Sequence, residues 1–199
     1  MGCCCSCPKH AVFLSFRGED TRNGFISHLR SALEKNKIKT YTDDKQLKRG
    51  DEISTSLLKA IKKSKLSVII FSENYASSSW CLDELVQILK CKKKYGQIVV
   101  PVFYGVDPSH VRGQKGTYVI SSNRFEAKKK KLQAWRKALK KAANIAGCDS
   151  QNIRPDSKLV EEIVKDIKKK LNHQSEGMIA ASVGVAGAVV ASAIGISVC

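Results

Sequence analysis

Acidic residues are scarce in this chain of 199 residues: 18 Asp and Glu stand against 35 Lys and Arg, for a formal net charge of +17. The excess is uneven, because positions 128–170 hold 14 basic and 5 acidic residues. Such a face suits anionic lipid headgroups or nucleic acid, since charge summed over a surface attracts polyanions without a specific site. A merely solvated lysine-rich helix face is the plainer alternative. A disulfide framework is missing too. Of eight Cys, four crowd into positions 3–7 and the rest are scattered at 81, 91, 148 and 199. Nothing before the first apolar run resembles a secretory leader, so a reducing cytoplasmic compartment is expected. Neither the Gly-x-Gly-x-x-Gly of a dinucleotide cofactor fold nor the Gly-Lys-Ser of a P-loop follows any strand, and hydride transfer and nucleoside triphosphate hydrolysis lose support.

What is present begins with two unusual ends. The opening MGCCCSC satisfies the Met-Gly-x-x-x-Ser pattern for myristoylation of Gly2, and Cys3, Cys4, Cys5 and Cys7 are then natural S-acylation sites. One acyl chain holds a membrane marginally and a second makes anchoring stable, which gives the neighbouring cysteines a purpose. Two rivals stand beside this reading: a thiolate metal site of Cys4, Cys7 and His10, with ligands too few and crowded for a zinc pattern, and an unmodified leader. At the far end, 178–199 is a run of 22 uncharged residues, long enough to span a bilayer but without Leu or Phe. Ala180, Gly184, Ala188 and Ser192 recur every fourth residue, as do Gly187, Ala191 and Gly195, a spacing that favours close helix packing in lipid. The alternative is a passive tail. Lys168, Lys169 and Lys170 just before it would keep the preceding domain cytoplasmic.

Between the ends, short β-rich runs alternate with amphipathic segments, which argues a parallel sheet covered by helices. Strands are expected at 11–16, 38–42, 66–71 and 98–104, with a short fifth around 145–149. Pro101 places its strand near an edge or leaves it hydrogen-bonded on one side, because proline donates nothing to a ladder. Helices are expected at 22–36, 52–64, 80–95, 132–146 and 157–171. The last carries an apolar stripe of Leu159, Ile163, Ile167 and Leu171. In open α/β sheets ligands sit beyond the carboxyl ends of the strands, so the informative segments are SFRGEDTR, DDKQLKRGDE, SENYASSSWCLDE and GVDPSHVRG. All four are polar. A phosphoacceptor receiver would need its acidic pair after strand one, whereas Asp43 and Asp44 follow strand two.

VFLSFRGEDTR, DDKQLKRGDEI, SSWCLDELV and VVPVFYGVDPSHVR resemble, in order and spacing, the plant TIR domains. The resemblance covers about residues 8–172 and implies an α/β, flavodoxin-like fold: a five-stranded parallel sheet with helices on both faces. The chain then divides into a leader (1–9), the TIR domain (10–172), a linker (173–177) and the small-residue tail (178–199). It implies immune signalling by a TIR-only form, through self-association and hydrolysis or cyclisation of NAD+, with NAD+ as substrate and no cofactor or metal. The expected partners are further copies or other TIR domains and the cytoplasmic membrane leaflet, with nucleic acid as a lesser alternative.

By the same resemblance Glu84 is the catalytic carboxylate. Breaking a ribosyl bond to cationic nicotinamide leaves an oxocarbenium-like centre that one carboxylate stabilises or attacks, as in glycosidases. Asp83 lies about a hundred degrees round the helix and should face elsewhere. Arg17, Gly18, Ser78 and Trp80 match substrate-contacting positions. Arg17 has the alternative of an ion pair with Glu19 or Asp20, and Trp80 that of ordinary packing. Residues 43–53 resemble the loop that closes on the pocket during assembly, and Ser27 and His28 match a symmetric pairing surface. A catalytically idle adaptor that recruits TIR receptors at a membrane is the rival reading. The stretch between Tyr118 and Leu132 is shorter than in the family, which puts assembly through that surface in question.

Overall fold

A computed structural model of the chain describes residues 10–42, 55–122, 125 and 127–187, with only the backbone at 10 and from 175 onward. The strands are His10–Ser15 (β1), Thr40–Thr42 (β2), Ser64–Phe71 (β3), Ile98–Phe103 (β4) and Cys148–Asp149 (β5). All pair in parallel, in the order β2-β1-β3-β4-β5. The helices are Gly18–Thr21 (α1), Ser27–Lys35 (α2), Thr55–Lys63 (α3), Ser79–Tyr95 (α4), Pro108–Gly113 (α5), Lys129–Ala142 (α6) and Asp156–Gly187 (α7). This is the parallel, helix-covered sheet expected from the alternation, and the flavodoxin-like α/β fold implied by the resemblance.

Alternating side chains of the central strands feed two separate cores, as they must when a parallel sheet is covered on both faces. Phe13, Ile69, Phe71, Val99 and Phe103 pack with α3, α4 and α6. Val12, Leu14, Val68, Ile70 and Val102 face the other way, against Leu29 and Leu33 of α2 and Leu159, Ile163 and Ile167 of α7. The apolar stripe read in the last helix is therefore its buried seam.

Pro101 sits in register with Ile69, inside β4. The Tyr104 amide donates to Phe71 on β3 and the Ser150 amide to Phe103, so alternation turns the Pro101 nitrogen toward β5, whose pairing starts only at Val102. The missing N–H falls where no ladder bond is due. β4 is next to the edge strand β5, and at Pro101 it is bonded on one side only, so both forms of the expectation hold.

Several boundaries differ from expectation, each for a local reason. The helix expected over 22–36 is broken by a wide turn at Arg22–Ile26, where Gly24 adopts φ −114° and ψ −106° and its carbonyl accepts from Ser27 Oγ at 2.7 Å. α5 was not expected, although Asp-Pro announces it: Asp107 caps the helix by accepting from the Ser109 amide, and Pro108 occupies the first turn. α7 runs unbroken through the 173–177 linker and as far as Gly187, with no proline to interrupt it. Among the described residues no helix is long and apolar enough to cross a membrane. The 1–9 leader, the 43–54 loop and 188–199 of the tail lie outside the described residues.

Gly147 approaches β4 so closely that an added Cβ would lie 2.0 Å from the Pro101 carbonyl oxygen and 2.7 Å from its Cγ. Backbone cannot yield as a flexible side chain does. Gly147→Ala should therefore cost about 2 kcal/mol or more and lower the melting temperature by about 5 °C, read by thermal denaturation. An unchanged melting temperature would contradict the close contact.

Candidate active site

The order β2-β1-β3 makes the carboxyl ends of β1 and β3 the place where the chain reverses its direction of travel across the sheet, the usual position of a ligand crevice. Three polar segments meet there: the residues after β1, those after β3, and the start of α4. Asp20 joins the first two. Its Oδ2 accepts from Ser72 Oγ at 2.6 Å and from the Asn74 amide at 2.9 Å. The Tyr118 hydroxyl donates to the Ser72 carbonyl at 2.6 Å, tying in a third loop.

Glu84 sits on the second turn of α4 and is only 3% exposed. Ser15, the buried last residue of β1, donates to Glu84 Oε2 at 2.7 Å. Tyr75 Oη lies 3.0 Å from Ser15 Oγ and 3.0 Å from the Cys81 carbonyl, so its single proton serves one of them at a time. The carboxylate is enclosed between β1 and α4. The reason is helical phase: Glu84 follows Cys81 by three and precedes Ile88 by four, and both are buried. Asp83 faces away, as expected, accepting from Trp135 Nε1 at 2.8 Å and pairing with Lys131 Nζ at 2.8 Å.

The other expected residues divide into two groups. Ser78 caps α4, its Oγ accepting from the Cys81 amide at 3.3 Å. Trp80 packs half-buried against the first core, which is the packing alternative. Arg17 pairs with Glu19 and with Asp20 Oδ1 at 3.5 Å, so the ion pair named as its alternative is formed. At Gly18 an added Cβ would meet only the flexible Arg22 guanidinium, 2.7 Å away. These four border Glu84, since Cys81 Sγ lies 3.6 Å from the Phe16 carbonyl just before Arg17. Ser27 and His28 are elsewhere, exposed at the start of α2 on the opposite face of the sheet. Sequence reasoning did not single out Ser15, Ser72 or Tyr75. The signal for Ser15 was a hydroxyl within an otherwise apolar strand.

A chain of this kind resembles known proteins along most of its length. A family model described as "TIR domain" matches residues 9–181. The TMV resistance protein N of Nicotiana glutinosa is 48% identical over 168 residues, covering 82% of this chain and 15% of that protein. The disease resistance protein RPV1 of Vitis rotundifolia is 51% identical over 161 residues, covering 80% of this chain and 11% of that one. Among solved structures, the TIR domains of the activated Roq1 resistosome superpose with a TM-score of 0.74 at 52% identity, covering 80% of this chain and 99% of theirs. The chain belongs to the TIR domain family. It spans only about a seventh of the length of the curated plant relatives it matches, so TIR homology concerns one domain of those proteins.

Burial gives this TIR site a pH signature. Burial, followed by the neighbouring Glu84 carboxylate, pushes the Cys81 thiol from its ordinary 9.0 up to about 12. Burial likewise holds the Tyr75 and Tyr118 phenols above their ordinary value. A raised folded-state pKa means that stability is fully present below the unfolded value and is lost as pH rises through the folded one. Stability should thus be level up to about pH 9 and fall above it, with Cys81→Ala removing part of that fall when chemical denaturation is compared at about pH 8 and about pH 10. Equal alkaline losses in both proteins would contradict this.

Proposed function

We propose that this TIR domain is an NAD+ hydrolase of plant innate immune signalling, activated by self-association, with Glu84 as its catalytic carboxylate. The observation that supports it best is Glu84 itself: a carboxylate at the carboxyl end of β1, beside the β1/β3 reversal, held by the Ser15 hydroxyl at 2.7 Å. In the proposed reaction the ribosyl C1′–nitrogen bond of NAD+ breaks, and its electron pair leaves with nicotinamide. The ribosyl cation that remains is stabilised by the carboxylate. Water then adds at C1′ and releases a proton, giving ADP-ribose, or a ribosyl hydroxyl or adenine nitrogen closes a cyclic product. NAD+ is the substrate, and no further cofactor is invoked.

The roles proposed for Arg17, Gly18, Ser78 and Trp80 are to border the bound dinucleotide. Arg17 would exchange its Glu19 partner for a phosphate, an exchange between charge-assisted bonds of similar kind. Self-association is supported by the neighbours, since matches include TIR domains within the Roq1 resistosome and the RPS4 and RRS1 TIR heterodimer, the latter at 26% identity and a TM-score of 0.53. Ser27 and His28, exposed and adjacent, are the proposed pairing residues. The membrane reading remains part of the proposal, with Gly2 lipidated and Cys3, Cys4, Cys5 and Cys7 as acylation sites. The enclosure of Glu84 and the ion pairs of Arg17 favour a second reading, an idle adaptor that recruits TIR receptors, and activity measurements separate the two.

Concentrated protein incubated with NAD+ should release nicotinamide, and Glu84→Gln should lower that rate at least ~100-fold. The melting temperature should move little, because Gln keeps an acceptor for Ser15. Release at the wild-type rate by Glu84→Gln would remove the catalytic assignment, and no release by the wild type at any concentration would leave the adaptor. In the same assay, Ser27→Ala with His28→Ala should lower both the assembled fraction in sedimentation and the rate. Full turnover by a strictly monomeric wild type would contradict activation by pairing.

A further inference from the structure

Around the starts of β3 and β4, the end of the sheet opposite Glu84 collects lysines. From Thr55 to Ser72 and from Leu85 to Val106 the chain carries Lys59, Lys62, Lys63, Lys65, Lys90, Lys92, Lys93 and Lys94 and no Asp or Glu. Lys62 and Lys63 end α3, Lys65 opens β3, and Lys92, Lys93 and Lys94 form the last turn of α4. These elements converge at the strand starts, where the Gln97 side chain, 4% exposed, donates to the Ile61 and Ser64 carbonyls at 2.7 and 2.8 Å. A cavity of about 240 Å³ opens there between Lys62, Lys63, Lys65, Tyr95 and Gln97. Tyr95 is 56% exposed, the most exposed large apolar side chain among the described residues, and Lys94 Nζ lies 5.4 Å from its ring centre.

The start of β1 lies on this same side, at His10, whose register partner is Ser64. α7 passes it as well: Lys168 Nζ reaches Asn36, the cap of α2 just ahead of β2, at 3.1 Å, and the helix continues to Gly187. An exposed aromatic ring set among lysines is the composition that settles at the headgroup level of a bilayer.

We propose that this strand-start face, Lys62, Lys63, Lys65, Lys92, Lys93 and Lys94 around Tyr95, docks on an anionic lipid leaflet and turns the Glu84 end of the sheet toward the cytoplasm. The lysines contribute long-range attraction, which reaches about one Debye length, roughly 8 Å, at physiological salt. Tyr95 contributes the interfacial contact, and the cavity has room for one phosphate-bearing headgroup. The exposed Tyr95 ring and the start of β1 beside Lys63 and Lys65 favour a membrane over nucleic acid as the polyanion. The inference deepens the membrane reading above, but it does not need the acyl chains, so unlipidated protein tests it separately.

The full chain, made in a bacterial host that adds no myristoyl group, is mixed with vesicles of phosphatidylcholine alone or with an equal amount of phosphatidylserine, and sedimented. Binding is expected to the anionic vesicles only and to be lost in high salt. The triple variant Lys62→Gln, Lys63→Gln, Lys65→Gln should weaken it about a hundredfold, while Lys128→Gln, Lys129→Gln, Lys130→Gln, which removes equal charge near Asp83, should leave it within about threefold. Nicotinamide release in solution should be the same in both variants. The proposal is overturned if the wild type ignores anionic vesicles, if both triple variants lose binding equally, or if an oligonucleotide binds at the strand-start lysines while vesicles do not. Gly2→Ala fractionation in plant cells reads the acyl anchor by itself. Release of Gly2→Ala from membranes together with no vesicle binding by unlipidated protein would keep the anchor and remove this face.

Discussion

The pairing of β1 with β3 is the constraint on which the rest of the molecule depends. Their five register pairs, from His10–Ser64 to Ser15–Ile69, bring together segments more than fifty residues apart. Once they are joined in parallel, each connection must cross the sheet as a helix, both faces must be covered, and the strands must be apolar throughout. Val12, Phe13, Leu66, Val68, Ile69 and Ile70 are accordingly fully buried. The same pairing ends at Ser15, so the polar side chain at the carboxyl end of β1 emerges where α4 begins its second turn. The Ser15–Glu84 bond follows from the β1/β3 register together with the phase of α4.

Enclosure makes the polar groups at this end interdependent. Ser15, Tyr75, Glu84 and the Cys81 carbonyl share two hydroxyl protons, and Asp20 gathers donors from two residues after β3. A buried polar group left unsatisfied costs about 1–3 kcal/mol, so such clusters either hold together or reorganise as a unit. That property fits a site whose access depends on assembly: admitting a dinucleotide would require Arg17 to leave its acidic neighbours and the loops joined by Asp20 to part. Under the proposed function, an isolated domain that keeps all of these bonds would be a resting form.

Much of the architecture was legible in the sequence because it rests on periodicity. Four of the strands stand out as β-rich runs and the stripe Leu159, Ile163, Ile167 as an apolar pattern, and the separation of Asp83 from Glu84 follows from helical pitch alone. Features set by tertiary contact were not legible. No local pattern shows that Glu84 is buried, since Glu at one position of an amphipathic helix reads as surface. Gly24 broke a helix whose flanking periodicity was intact, and β5 is only as long as the part of β4 that Gly147 and Pro101 leave to pair. The Asp107-Pro108 pair is a helix-start signal, but a polar loop satisfies the same local pattern equally well.

The distribution of lysines has a partial explanation in the fold itself, and the residue of that explanation is informative. Helices that return antiparallel to the strands bring their C-termini to the strand starts, where the helix dipole favours cations by about 0.3–1 kcal/mol each. Lys62 and Lys63 in the last turn of α3 and a lysine in the last turn of α4 are accounted for this way. The dipole acts only within that turn and is satisfied by one or two charges, whereas α4 ends on three consecutive lysines and Lys65 belongs to a strand, where no such dipole operates. Neighbouring like charges repel one another, so this surplus lowers the stability of the isolated domain. A cost of that kind, placed around an exposed tyrosine and beside the start of β1, would be offset by the anionic surface proposed to lie against it.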